Sequence, residues 1–282
     1  RYIDHAVINK STYIYNMYPE TDELHREKIQ NHAVTYIGSL VPTKGFHVLA
    51  AVWKTILKEV PDATLNVVGN GKLYGRNSKL GKYNIAEDSY EKQFMSGLTD
   101  DEGNILPSVH FWGVLGVEKN DVIRNTCVGV VNPTGRTETF GISALDFESM
   151  SVPVVTIAKG GFLDTVLNEK TGLLYGHTDD FAKDIIMLLK NDKLNEQYGR
   201  DGVQLCKKFT PDKIIKEWNR LFLKVLNDEK MEYIEPDSFM ETNLKKYRCL
   251  NRKIKNAIGV EYPISVIGAE SFARNVLRRM GK

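Results

Sequence analysis

Two acids, Glu138 and Asp146, stand in the stretch Asn132-Pro133-Thr134-Gly135-Arg136-Thr137-Glu138-Thr139-Phe140-Gly141-Ile142-Ser143-Ala144-Leu145-Asp146-Phe147-Glu148. An apolar run at 127–131 ends in a Pro/Gly turn, and a helical pattern follows at once. A strand, a tight loop and a helix N-terminus in that order can hold a phosphate on backbone N–H groups and a polyol on carboxylates. An ionised carboxylate accepts hydrogen bonds from two hydroxyls of a polyol at once, which is the chemistry Glu138 suits. On a helix, residues eight apart differ by about 80° in direction but by two turns in height, so Asp146 lies below the helix mouth. Glu148 points about 200° away from Asp146 and falls outside the site. Taken singly, Glu138 reads as a first-turn acid and Asp146 as a solvated helix acid.

Three further loops carry residues of the same kind. Gly38-Ser39-Leu40-Val41-Pro42-Thr43-Lys44-Gly45 follows a β-like run at 34–37. Lys44 at the head of the next helix adds a mobile cation where the helix dipole already favours anions, and Arg136 is a second cation for the same task. In Val67-Val68-Gly69-Asn70-Gly71 the glycines allow a backbone to approach a ligand closely. This is not a dinucleotide fingerprint, because the third glycine, Gly75, falls one residue late. Val109-His110-Phe111-Trp112-Gly113-Val114 ends another β-like run, in which His110 reads as a packed core histidine.

The elements that position these loops alternate in type. Strands are predicted at 34–37, 64–68, 109–112, 127–131, 152–157 and 172–175, with a short β-like run at 13–16. Helices are predicted at 45–60, 116–125, 140–150, 161–167, 178–190, 192–208 and 211–227. Phe46, Leu49, Val52, Trp53, Ile56 and Leu57 show the three- and four-residue spacing of a helix facing a core. Residues 71–103 read as a long polar loop with one short helix near 89–96. The pattern implies right-handed βαβ units, so an α/β fold with a Rossmann-like parallel sheet and helices on both faces. In such a sheet ligands bind at the carboxyl ends of the strands, where the loops above lie. The domain reading is 1–32 as a remnant and linker, 33–228 as the Rossmann-like domain and 229–282 as a helical C-terminal extension.

Composition narrows the class. The 282 residues are 42% hydrophobic and 26% charged, which suits one or two globular domains. A net charge of +2 gives no global field for nucleic acid. Cys127, Cys206 and Cys249 form no Cys-x-x-Cys pair, so neither a zinc site nor a disulfide scaffold is indicated. The expected compartment is cytoplasmic. Asn9-Lys10-Ser11 fits a glycosylation pattern and is taken as chance. No apolar run approaches the roughly 18 residues of a membrane span. Arg1 opens no signal peptide, and a chain starting there reads as a fragment of a longer protein. From 241 to 282, ten Lys or Arg face three acids. There Leu244, Tyr247, Leu250, Ile254 and Ile258 recur at helical spacing, which fits peripheral contact with an anionic membrane or packing on the protein.

In order, these motifs resemble those of retaining glycosyltransferases with the GT-B fold, in particular family 4, the glycosyl transferases group 1. Glu138-Thr139-Phe140-Gly141 matches the start of the family's E-x-F-G-x-x-x-x-E, with Asp146 where a second glutamate is usual. Met150-Ser151-Val152-Pro153-Val154-Val155 follows as the family's G-x-P-V-V does. Gly38 to Gly45 resembles G-R-L-x-x-x-K-G, with Ser39 in place of arginine. Val67 to Gly71 resembles V-V-G-x-G. Gly160-Gly161-Phe162-Leu163-Asp164-Thr165-Val166 resembles G-G-x-x-E-x-V, and Asn168 to Leu174 the turn N-x-x-T-G-x-L.

The resemblance covers about 33–228 and implies the C-terminal, donor-binding domain. It implies transfer of a hexose from a nucleotide diphosphate sugar, of UDP or GDP type, to a glycan or lipid-linked hydroxyl with retained configuration. Glu138 would contact the sugar ring and is the candidate catalytic residue. Amides of Phe140, Gly141 and Ile142 would hold the diphosphate, with Lys44 and Arg136. Asp146 would take the ribose hydroxyls, and the backbone near Val114 the base. Gly38, Ser39, Gly69 and Gly71 would line the donor. No cofactor and no metal are expected, and no Asp-x-Asp signature is present. The acceptor site would belong to an N-terminal domain of similar size, so the chain alone is expected to turn over poorly. Two alternatives stand: a nucleotide-sugar epimerase on the same scaffold, and a non-catalytic nucleotide-sugar-binding module, for which Ser39 and Asp146 speak.

Overall fold

The structure, a computed structural model, describes residues 12–19, 31–72 and 79–229. The basic amphipathic pattern at 241–282 lies outside the described residues, as do Gly75 and the linker at 20–30. The chain divides into two compact units, Asn16–Lys213 and Arg1–Tyr15 with Ile214–Lys282. The first holds the sheet.

Six strands, β1 (Ala33–Ile37), β2 (Thr64–Val68), β3 (Val109–Gly113), β4 (Val128–Val130), β5 (Val154–Ile157) and β6 (Gly172–Tyr175), form one sheet. Their order is β3-β2-β1-β4-β5-β6, and every pairing is parallel. Between them run α1 (Phe46–Glu59), α2 (Asp88–Met95), α3 (Lys119–Arg124), α4 (Ile142–Glu148) and α5 (Phe162–Thr165). After β6 come α6 (Thr178–Lys190), α7 (Asp192–Cys206) and α8 (Pro211–Leu226). None of the described helices is long and apolar enough to cross a membrane.

Successive strand residues serve opposite cores, as pleating requires. Val130, Val155 and Leu173 join a cluster with Phe46, Leu49 and Trp53 of α1, Phe94 of α2 and Phe181 of α6. Their neighbours Val131, Val154 and Leu174 join a second cluster with Ile123, Ala144, Phe147 and Phe162. Helices thus cover both faces, and the continuous apolar strands follow from that double cover.

The departures from the sequence reading have local causes. Residues 12–19 carry no regular structure, so the run at 13–16 is not a strand. The helix expected at 140–150 is confined to Ile142–Glu148, because Gly141 ahead of it is left-handed at φ 90°. Ser151, in the place of the family's glycine, is left-handed too, at φ 59°. The helix expected at 116–125 shortens to Lys119–Arg124. His110 is exposed rather than packed, because β3 is an edge strand and one of its faces, with Trp112 51% exposed, is uncovered.

Glu148 lies in the core, fully buried. Thr171 Oγ1 donates to its Oε1 at 2.6 Å, and Oε2 has no partner among the described residues. Burial raises its pKa well above the ordinary 4.5, against a smaller opposing effect of the Thr171 hydrogen bond. The folded state therefore keeps a proton that the unfolded state releases. The contribution of Glu148 to stability is then fully present below about pH 4.5 and is lost as pH rises through the folded pKa. Glu148→Gln, with no proton to lose, is expected to remove this loss as pH rises above about 4.5. Urea denaturation of both proteins across that range checks this, and parallel curves would clear Glu148 of the effect.

Candidate functional site

Strand order reverses between β1 and β4, so the loops after them part and leave a crevice at the carboxyl end of the sheet. Glycine governs how closely the flanking loops meet. Gly45 heads α1 at φ 71°, and a Cβ there would lie 2.6 Å from Thr134 Cγ2. Thr134 Oγ1 lies 2.9 Å from Thr43 O, joining the two loops directly. Tyr36, fully buried, donates its hydroxyl to Lys44 O at 2.9 Å. Burial pushes that hydroxyl's pKa well above 10.0, with smaller contributions from Tyr90 and Glu138, so it stays a donor.

Across the crevice Lys44 Nζ meets Glu138 Oε2 at 2.9 Å. Their side chains are 27% and 14% exposed, so the pair is partly buried. Asn132 Nδ2 donates to the same Oε2 at 3.1 Å. Oε1 accepts from nothing among the described residues. Glu138 is thus anchored by one oxygen and open at the other. Its backbone is locked as well. Gly161 N donates to Glu138 O at 3.1 Å, and Gly160, at φ 62°, passes so close that a Cβ would lie 2.4 Å from that oxygen.

Arg136 is exposed two residues before Glu138. Its charge reaches the head of α1: His47 there is held below its ordinary 6.5, by burial first and by Arg136 second. Lys44 and Arg136 therefore bring two positive charges to one mouth. Gly141 and Ile142 donate their N–H groups to none of the described residues, and Ile142 is 51% exposed. Phe140 differs: its ring packs edge-on against Phe209 at 5.3 Å, so only its backbone faces the loop.

Asp146 has its own partners. Lys119 Nζ lies 2.6 Å from its Oδ2, and Tyr18 donates to Oδ1 at 3.2 Å. The Tyr18 hydroxyl also sits 3.1 Å from Ser149 Oγ. Burial and then the Asp146 charge raise its pKa, which keeps it protonated as a donor. Asp146 is an ion-paired acid rather than a solvated one, a turn or two below Glu138. Tyr18 and Lys119 carry no sequence signal, for they reach Asp146 from 128 and 27 residues away. Asn132 was in plain view inside the motif, but nothing in its type announced a bond to Glu138.

The remaining predicted residues gather on the β1–β2 side. Gly38 N donates to Val68 O, Leu40 N to Asn70 O and Gly69 N to Gly113 O. A Cβ on Gly69 would lie 2.1 Å from Gly38 O, and one on Gly71 2.7 Å from Ala86 Cα. Gly38, Gly69 and Gly71 thus stack loop on loop, Ser39 is half-buried between them, and Val114 lies exposed beyond β3. None of the described residues forms a group of three or more His, Cys, Asp or Glu able to hold a metal ion.

Residues 20–204 match the model of the family described as glycosyl transferases group 1. An uncharacterized glycosyltransferase of Methanocaldococcus jannaschii is 25% identical over 215 residues, 76% of this chain and 53% of that protein. The chain spans about half the length of the curated relatives it matches. Anabaena HepE, solved with UDP-glucose, is similar with a TM-score of 0.56 at 18% identity, over 69% of this chain and 49% of that one. The C-terminal domain of the group 1 family protein LpcC of Francisella tularensis is similar with a TM-score of 0.52 at 18% identity, over 74% of this chain and 99% of that one. At such identities the two structures speak for the fold.

The lock on Glu138 is open to a direct test. Gly160→Ala adds a Cβ against Glu138 O in a left-handed backbone and is expected to lower stability by about 1–3 kcal/mol. Gly176→Ala, where a Cβ meets nothing within 4 Å, should stay within about 0.5 kcal/mol of the parent. Equilibrium denaturation of the pair gives the comparison, and equal losses would show that the close approach is not what holds the loop.

Proposed function

This chain belongs to the glycosyl transferases group 1, and we propose that it supplies the donor-binding half of a retaining hexosyltransferase. The observation that carries this reading is the Lys44–Glu138 pair across the crevice, with one oxygen of Glu138 left open. A diphosphate would draw Lys44 to itself, and the donor sugar would offer hydroxyls to Glu138. Negative charge builds on the diphosphate as the sugar departs, and Lys44, Arg136 and the Gly141 and Ile142 amides are placed to stabilise it. In this reading that charge needs no metal. Asp146, oriented by Lys119 and Tyr18, would take the ribose hydroxyls.

The donor class is supported by the fold shared with HepE, solved with UDP-glucose. Division into halves is supported by the near-complete coverage of the LpcC C-terminal domain. The acceptor, a glycan or lipid-linked hydroxyl, would be bound by the other half. A second reading, a module that binds the donor without chemistry, is favoured by one observation: Asp146 is already paired at 2.6 Å, so a ribose must compete with Lys119.

Calorimetry with UDP, GDP and UDP-glucose, with and without EDTA, tests the reading. At least one nucleotide should bind, unaffected by EDTA, and Lys44→Ala should weaken it by about tenfold or more. Absence of binding by all three would remove the proposal. Brisk transfer by these 282 residues alone would remove the division into halves. In a protein that transfers sugar, an unchanged rate in Glu138→Ala would favour the binding module. The same proposal places the protein in the cytoplasm, peripheral to the membrane through 241–282. Cosedimentation with phosphatidylserine vesicles should fade as salt rises, and no binding at low salt would remove this part.

A further inference from the structure

Asn132 stands apart among the buried polar residues of the crevice. It is 3% exposed, and its backbone is held at φ 29°, in the region that asparagine tolerates better than most residues. Both hydrogens of its amide are committed. One goes to Arg136 O at 2.9 Å and the other to Glu138 Oε2 at 3.1 Å. Two acceptors on the same side fix the amide's orientation, since the flipped form would set its oxygen against a carbonyl and a carboxylate. The amide oxygen in turn lies 2.9 Å from Thr134 Oγ1. That hydroxyl has one hydrogen, which it gives to Asn132 or to Thr43 O, and it accepts from Arg136 N at 3.3 Å.

Glu138 Oε2 therefore has two donors of different character. Lys44 ends a long flexible stem and is 27% exposed; Asn132 is short, buried and saturated. An anion in the crevice would compete for Lys44 but could not displace Asn132 without opening the loop.

We propose that Asn132 is the positioning residue that keeps Glu138 aimed at the donor sugar once the diphosphate has drawn Lys44 away. This rests on the roles given above to Lys44 and Glu138. Lys44 is the donor that leaves and Asn132 the donor that stays, so Glu138 turns toward the sugar without losing its anchor. The amide of Asn132 meets the Glu138 carboxylate directly but reaches the diphosphate side only through the backbone of Arg136, so its removal costs the sugar more than the diphosphate.

The test compares ligands with and without the sugar on the same chain. Asn132→Gly removes the amide and keeps the backbone conformation; Asn132→Ala removes it with less added flexibility. Pyrophosphate, UDP and UDP-glucose are titrated by calorimetry, with GDP and GDP-mannose as the second pair, after thermal melts establish which variants are folded. The sugar nucleotide should lose about tenfold more affinity than its parent diphosphate, because the lost bond is one to a charged group. Pyrophosphate should bind within about threefold of the parent. A loss of general loop order would weaken all ligands alike, and that outcome, or unchanged binding of all of them, would overturn the proposal. A parent chain that binds none of the ligands would instead remove the reading of the site and this inference with it.

Discussion

The site depends on how closely two loops from different parts of the chain can approach. The strand order reverses between β1 and β4, which opens a crevice, but a crevice alone would leave Lys44 and Glu138 apart. Gly45 removes the Cβ that would strike Thr134, and the Thr134 hydroxyl lies 2.9 Å from the backbone oxygen of Thr43. Tyr175 of β6 donates its hydroxyl to Pro133 O and so fastens the loop that carries Thr134 to the sheet. These short contacts set the distance across which a lysine and a glutamate, 94 residues apart, can meet at 2.9 Å. Backbone approach sets the geometry, and the side chains then use it.

An ion pair inside a ligand site has a particular energetic character. Without ligand, each partner satisfies the other, so neither charge is left uncompensated in a partly buried place. A ligand carrying only anionic groups would take Lys44 and leave Glu138 with less compensation. A ligand that also carries hydroxyls compensates both at once. Under the proposed function, a molecule with an anion and a polyol joined at the right spacing would be preferred over either part alone, through exchange of partners rather than added contacts.

Much of this was legible in the sequence, and the limits are instructive. The alternation of apolar runs with helical spacing gave the parallel sheet, because burial on both faces leaves little freedom in residue type. The Pro/Gly turn and following acid marked Glu138, and the glycine-rich loop marked Lys44. His110 was misread because periodicity cannot tell which strand ends up at an edge. Phe140 was placed in the site by its backbone, while its ring turned to Phe209. Tyr18 was unreadable: it stands in a stretch without regular structure, and its bond to Asp146 spans 128 residues. Local pattern encodes which element a residue joins; it does not encode which distant side chain meets it.

The three acids of one loop and helix show how position alone divides their chemistry. Glu138, ahead of the left-handed Gly141, escapes the helix and keeps one oxygen open. Asp146, two turns on, lies where Lys119 from α3 and Tyr18 can both reach it, so it is fixed in direction. Glu148, two residues later, faces inward against Thr171 and the backbone of α7 at Gly202. There burial, not a partner, governs its proton. A carboxylate with a free oxygen can serve a ligand, one pinned by a cation can orient against a ligand, and one buried without a charge can do neither. Of the acids carried by this segment, the first two are the ones the proposed function uses, and the third is a buried polar group that the core must accommodate.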